Sequence, residues 1–246
     1  MIWLSWRQQR AETFLALGIL ALLAALLVPT GLNMADAYHH DGIAVCLSAN
    51  PGPACADAIG GFRQHFRSLS DLANWFTLIP GLIGVLLAAP FVSDLEHCTY
   101  RLAWTQSITR RRWLLGRLVL PIVVAGLASG GLIVLFTWWR SPMAHLDGRI
   151  ENGIYDTTGT VVIGYTLFAL GLALALGALW RRVAASMTVA FVTYFFVTYF
   201  AVCVISHAVY QPVSDFWILQ LTETALFAGL ALLFIAFAAW RVLRAD

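Results

Sequence analysis

Six stretches of about twenty apolar residues each run through this sequence, and they leave it few ways to fold. A hydrocarbon core of roughly 30 Å is crossed by about 20 helical residues, and only helices or closed barrels satisfy the backbone where no water reaches it. The stretches lie at roughly 13–34, 72–92, 116–139, 158–180, 183–206 and 216–240. Hydrophobic residues make up 60% of the chain and charged ones 11%, where a soluble domain carries about a quarter charged. The sequence predicts an all-α polytopic membrane protein, residues 1–246 forming one transmembrane domain with six transmembrane helices.

Cytoplasmic loops collect arginine and lysine, so sorting the cations by alternate loops sets the orientation. Eleven arginines fall on one side, among them Arg7, Arg10, Arg101, Arg110, Arg181 and Arg244; Arg63, Arg67, Arg140 and Arg149 fall on the other. Both termini are expected in the cytoplasm of a multi-pass plasma-membrane protein. Residues 35–71 then form an extracytoplasmic loop, and the polar segment Ser93 to Arg117 faces inward. Before the first span, residues 1–12 read as an interfacial helix, with Trp3 and Trp6 at headgroup depth and Arg7 and Arg10 toward phosphate. The first span, preceded by Arg7 and Arg10, also resembles a signal peptide, with Ala35-Asp36-Ala37 as a cleavage site, but a retained span behind an interfacial helix is the preferred reading.

All fifteen basic residues are arginine. A Walker A loop and Schiff-base chemistry both need lysine, so any ATP this protein uses is bound by another chain. A formal net charge of +2 and a single basic run, Arg110 to Arg112, point away from nucleic acid.

In the outer loop, Cys46 and Cys55 flank the turn-forming Pro51-Gly52-Pro53, and on an oxidising face that spacing predicts a disulfide. His39, His40 and Asp41 lie in the same loop without a metal-ligand spacing, and no metal is expected. Glu223 is the only acid well inside a span, about 10 Å along the last helix from Phe216. Ionisable groups at such depth are expensive. Gln220 and Glu223 are candidates either for a substrate path or for a hydrogen bond between helices. Gly126 with Gly130 and Ala173 with Gly177 have the small-x-x-x-small form that permits close helix packing.

The inward segment carries Asp94, Glu96, Thr99 and Arg101. From Asp94 a short helix is possible, with Leu95, Cys98 and Leu102 on one face. Arg110, Arg111, Arg112 and Trp113 then suit anionic headgroups at the start of the third span. Topology accounts for the arginines but not for the acids, for Thr99, or for a polar loop of this length.

These residues resemble a family. Glu96-His97-Cys98-Thr99-Tyr100-Arg101-Leu102 followed by Thr109-Arg110 is similar to the E-x-x-T-x-R-L and S/T-R pattern between the second and third spans of type 2 ABC exporter permeases. Phe216-Trp217 with Gln220 and Glu223 resembles the start of the last helix in smaller members. The resemblance implies a coupling helix within 93–115 that docks on a separate ATPase subunit, with Glu96, Thr99 and Arg101 at its core; Asp94 beside them is a further ATPase-coupling candidate. It also implies a second permease copy or a related permease, and ATP and Mg on the partner ATPase rather than any cofactor on this chain. Cys98 stands where the family commonly has glycine. The expected function is therefore export of a hydrophobic or amphipathic compound by a permease that is not itself an enzyme and has no catalytic residues. Two other classes are weaker. A membrane-embedded enzyme would need an acid, base and nucleophile set that His207, Glu223, His39 and His40 do not make. An ATP-independent carrier or channel would be expected to show an inverted repeat, which the two halves do not display.

Overall fold

A computed structural model describes residues 2–40, 42–48, 53–99, 109–147, 154–208 and 215–244. The described chain forms helices α1 (Ile2–His40), α2 (Ile43–Ser48), α3 (Pro53–His65), α4 (Arg67–Asn74), α5 (Leu78–Glu96), α6 (Arg110–Asp147), α7 (Val161–Trp180), α8 (Val183–Ala208) and α9 (Phe216–Arg244). Six stretches of it, beginning at Gln9, Arg67, Arg110, Val161, Val183 and Phe216, are long and apolar enough to cross a membrane. The protein is an all-α polytopic membrane protein.

The helices outrun the hydrophobic windows at several ends. Residues 2–12 continue into the first span without a break, and α1 carries on to His40. The described residues of the stretch 35–71 are themselves largely helical, built from the end of α1 with α2, α3 and the start of α4. Cys46 on α2 and Cys55 on α3 are joined in a disulfide. Phe62 of α3 and Phe66, between α3 and α4, pack with tilted rings at 4.8 Å, and the Tyr38 ring meets Phe62 edge-on at 6.3 Å. These aromatics bring the outer helices down onto the end of α1.

Helix α7 is the centre of the bundle. Fifteen of its twenty residues are buried, and α5 and α9 make the most extensive contacts with it. Glycines permit that closeness. A Cβ on Gly84 of α5 would stand 2.3 Å from the Thr166 carbonyl oxygen; one on Gly171 would stand 2.8 Å from the Ala231 carbonyl oxygen. Both obstacles are backbone, which cannot swing aside as a side chain does, so α5, α7 and α9 meet almost backbone to backbone. Of the small-residue pairs in the sequence, Ala173 is fully buried and Gly177 lies against Val92, whereas Gly126 and Gly130 face open space on α6.

Peripheral helices are fixed by directional bonds. Trp139 of α6 donates its indole N–H to the Thr30 hydroxyl of α1 at 3.0 Å. On α8, Tyr194 lies over Gly81, where any Cβ would meet its ring, and its hydroxyl donates to the Thr77 carbonyl at 2.7 Å.

Candidate functional site: the inner ends of α5, α6 and α8

The polar inner segment does not begin a helix at Asp94. Residues 94–96 form the last turn of α5, because nothing in Phe91-Val92-Ser93-Asp94-Leu95-Glu96 interrupts the helix. The turn falls at His97 and Cys98, and Cys98 adopts φ 54. That left-handed conformation costs an L residue roughly 1–2 kcal/mol and glycine almost nothing. Exchanging Cys98 for glycine is expected to raise stability by about 0.5–1 kcal/mol, because relief of the strain exceeds the extra freedom of the unfolded chain. Cys98→Val should lower it, and thermal melting in detergent separates the two.

Beyond the turn, Thr99 folds back and its hydroxyl donates to Asp94 Oδ1 at 3.0 Å. The other Asp94 oxygen pairs with the Arg117 guanidinium of α6. Both side chains are close to inaccessible, 12% and 9% exposed for Asp94 and Arg117. Glu96 reaches a different helix: its Oε2 accepts a hydrogen bond from the backbone N–H of Val183 at 2.7 Å. The first N–H groups of a helix have no partner within it and carry partial positive charge, so a carboxylate there closes and stabilises the start of α8. Two carboxylates of one short stretch thus tie α5 to α6 and α8, and the Thr99 hydroxyl braces one of them.

Beside this network lies a cleft of about 410 Å³ lined by Glu12, Pro90, Ser93, Asp94, Arg117 and Val183. Glu12 enters it from α1 with a buried carboxylate oxygen that has no hydrogen-bond partner. Arg117 therefore has carboxylates on two helices near it, Asp94 in contact and Glu12 across the cleft.

Arg117 and Glu12 were not singled out by sequence, yet a signal existed for each. Leu114, Arg117 and Leu118 are all buried and share one helical stripe, as do Gln9, Thr13 and Ala16 beside Glu12. Arg101 lies outside the described residues. Arg111 and Arg112 are exposed at the start of α6; Arg110 donates to the Leu243 carbonyl of α9 at 3.3 Å, and Trp113 packs on Phe91 at 6.2 Å.

Gln220 and Glu223 lie at the opposite end of the bundle. The Gln220 amide is fully buried; its Oε1 accepts from Val161 N–H at 2.9 Å and its Nε2 donates to the carbonyls of Tyr155 and Thr158, each at 3.0 Å. Gly159 sits against this amide with φ 79, and a Cβ there would stand 2.7 Å from Oε1. Glu223 Oε1 accepts from the Tyr165 hydroxyl at 2.7 Å, and Thr224 meets Thr160 hydroxyl to hydroxyl at 3.0 Å. One face of α9 therefore fastens the 154–161 connection to the start of α7.

A family model described as ABC-2 membrane transporter related matches residues 17–205. The chain belongs to that family. No curated protein and no solved structure matches it. Membership makes this chain a multi-pass membrane subunit for transport, and the family implies association with an ABC-type ATPase subunit. The matched region of the permease takes in the whole inner network and stops before α9, so the Gln220 clamp joins matched helix α7 to a helix beyond the match.

Proposed function

We propose that the chain is the membrane subunit of an ATP-driven exporter in the plasma membrane, with both termini cytoplasmic, that moves a hydrophobic or amphipathic substrate outward. ATP and Mg are bound by a separate ATPase subunit, and the transporter contains two copies of this permease or one copy with a related permease. The observation that carries this reading is the Glu96 to Val183 hydrogen bond alongside the Asp94 to Arg117 pair. A force applied at the 94–99 turn reaches α5 directly, α6 through an ion pair and α8 through its first N–H group. Asp94, Glu96, Thr99 and Arg101 are the ATPase-coupling residues of this scheme, and Arg110, Arg111, Arg112 and Trp113 hold the start of α6 at the membrane surface. Gln220 and Glu223 serve as an outer clamp, since both Gln220 amide atoms and Glu223 Oε1 are bonded to the 154–165 stretch.

The test is reconstitution with the ATPase encoded in a neighbouring reading frame. The permease should co-purify with it and support ATP-dependent efflux of an amphipathic dye from vesicles. Glu96→Ala removes an exposed cap worth about 1 kcal/mol, so insertion and folding should survive. Efflux per ATP hydrolysed is expected to fall at least tenfold. Absence of any association with the ATPase overturns the reading, and normal efflux by Glu96→Ala returns the segment to a topology signal.

A further inference from the structure

Where α7 and α9 end, a second cleft of about 170 Å³ is lined by Arg181, Arg241 and Arg244 with Trp240, and floored by Leu95 and Val242. Arg181 is the residue that closes α7, left-handed at φ 52 with its N–H bonded to the Gly177 carbonyl at 2.9 Å. The Arg244 guanidinium lies 4.7 Å over the Trp240 ring. Among the described residues, none of the three arginines is paired with a carboxylate. Three helix C-termini, those of α5, α7 and α9, converge here and contribute about half a negative charge each. Against three guanidinium groups that leaves roughly one to two positive charges facing one small space.

The approach to this cleft along α9 is apolar. Leu226, Gly229, Leu233, Ala236, Trp240 and Arg244 succeed one another at three- and four-residue spacing, and all six are exposed. They form one stripe of the helix surface. Gly229 and Ala236 are small, and a Cβ on Gly229 would meet nothing within 4 Å, so the stripe is a furrow with Leu226, Leu233 and Trp240 as its raised points. It leads from the apolar zone directly to the arginines.

We propose that this cleft binds the phosphodiester of an anionic phospholipid, with an acyl chain lying in the α9 furrow. The guanidinium groups supply the planar donors that recognise phosphate, Trp240 takes the interfacial position that indoles prefer, and the furrow supplies what a free phosphate would not need. The bound lipid would join the end of α7 to the end of α9. Those ends adjoin the inner network through Arg110, which donates to the Leu243 carbonyl, and through Val183, two residues after Arg181.

The experiment uses the full chain in detergent, titrated with phosphatidylglycerol carrying brominated acyl chains while tryptophan fluorescence is followed. Saturable quenching is expected, with the quenched fraction reduced in Trp240→Phe. Brominated phosphatidylcholine should bind at least tenfold more weakly, and inorganic phosphate at millimolar concentration should not displace the lipid. Arg181→Gln with Arg241→Gln should weaken binding at least tenfold, and the single Arg241→Gln at least threefold, should the double variant fold poorly. Arg63→Gln with Arg67→Gln removes the same charge from exposed positions toward the other end of the bundle and should change affinity less than twofold. Equal binding of the two lipids, displacement by phosphate, or equal weakening by the Arg63 and Arg67 variant would each overturn the proposal. So would cleft variants that keep lipid affinity but lose the ATPase subunit, which would make the cleft a protein contact.

Discussion

Replacing Arg117 by methionine is expected to destabilise the protein by about 3–5 kcal/mol, the range for removing one member of a buried ion pair. The loss has two sources in this structure. Asp94 keeps the Thr99 hydroxyl on one oxygen but has its other oxygen left charged and enclosed. Glu12, already without a hydrogen bond for one buried oxygen, then faces a second carboxylate with no cation between them. Adding Asp94→Asn to Arg117→Met should restore much of the stability, because replacing both members removes the uncompensated charge. Thermal unfolding in detergent, followed by circular dichroism, gives both numbers. A double variant no more stable than Arg117→Met alone would show that the arginine acts through its packing. The double variant also separates stability from coupling: it should fold and bind ATPase yet transport poorly, since α6 would have lost its tie to the 94–99 turn.

Gln220→Leu is expected to cost about 3 kcal/mol or more. Three buried backbone groups lose their partner at once: the N–H of Val161 and the carbonyls of Tyr155 and Thr158. Each such orphan costs about 1–3 kcal/mol where water cannot replace the bond. The connection they belong to also contains the left-handed Gly159, so its shape depends on the amide that holds it. Gln220→Glu keeps the acceptor for Val161 but turns the donor toward two carbonyl oxygens into another acceptor. It should be at least as damaging as leucine although nearly identical in size. A melting temperature for Gln220→Glu close to that of the native chain would sink the clamp and leave Gln220 free for contact with substrate.

The sequence made some of this visible and hid the rest for a physical reason. Span number and helical class follow from apolar length, a property of consecutive residues. The inner segment stood out because Asp94 and Glu96 lie between apolar helices where a short turn would have served. Their partners did not stand out. Arg117 reads as one more cation on the inner side whether it meets lipid phosphate or a carboxylate, and only the fold brings Asp94 to it. The Glu96 bond spans 87 residues and ends on a backbone N–H, which no side-chain pattern marks. Glu223 was conspicuous because an acid in a span is costly. Its partner Tyr165, 58 residues earlier, by itself looks like any core aromatic.

Helix α8 is held to α5 at two heights, by the Glu96 bond at Val183 and by Tyr194 seated over Gly81. The two attachments differ in kind. The first is a single exposed hydrogen bond, and the second is a ring lodged against a backbone with its hydroxyl fastened to Thr77. Eleven residues separate them, about 16 Å of helix, and about 21 Å more lies beyond Tyr194 up to Ala208. Such a rod has a fulcrum nearer its driven end. With Tyr194 held, each 1 Å by which Glu96 draws the inner tip sideways swings the outer tip about 1.3 Å the other way. A pull at the Val183 end would in this way become an opening at the Ala208 end, with the stroke lengthened rather than lost.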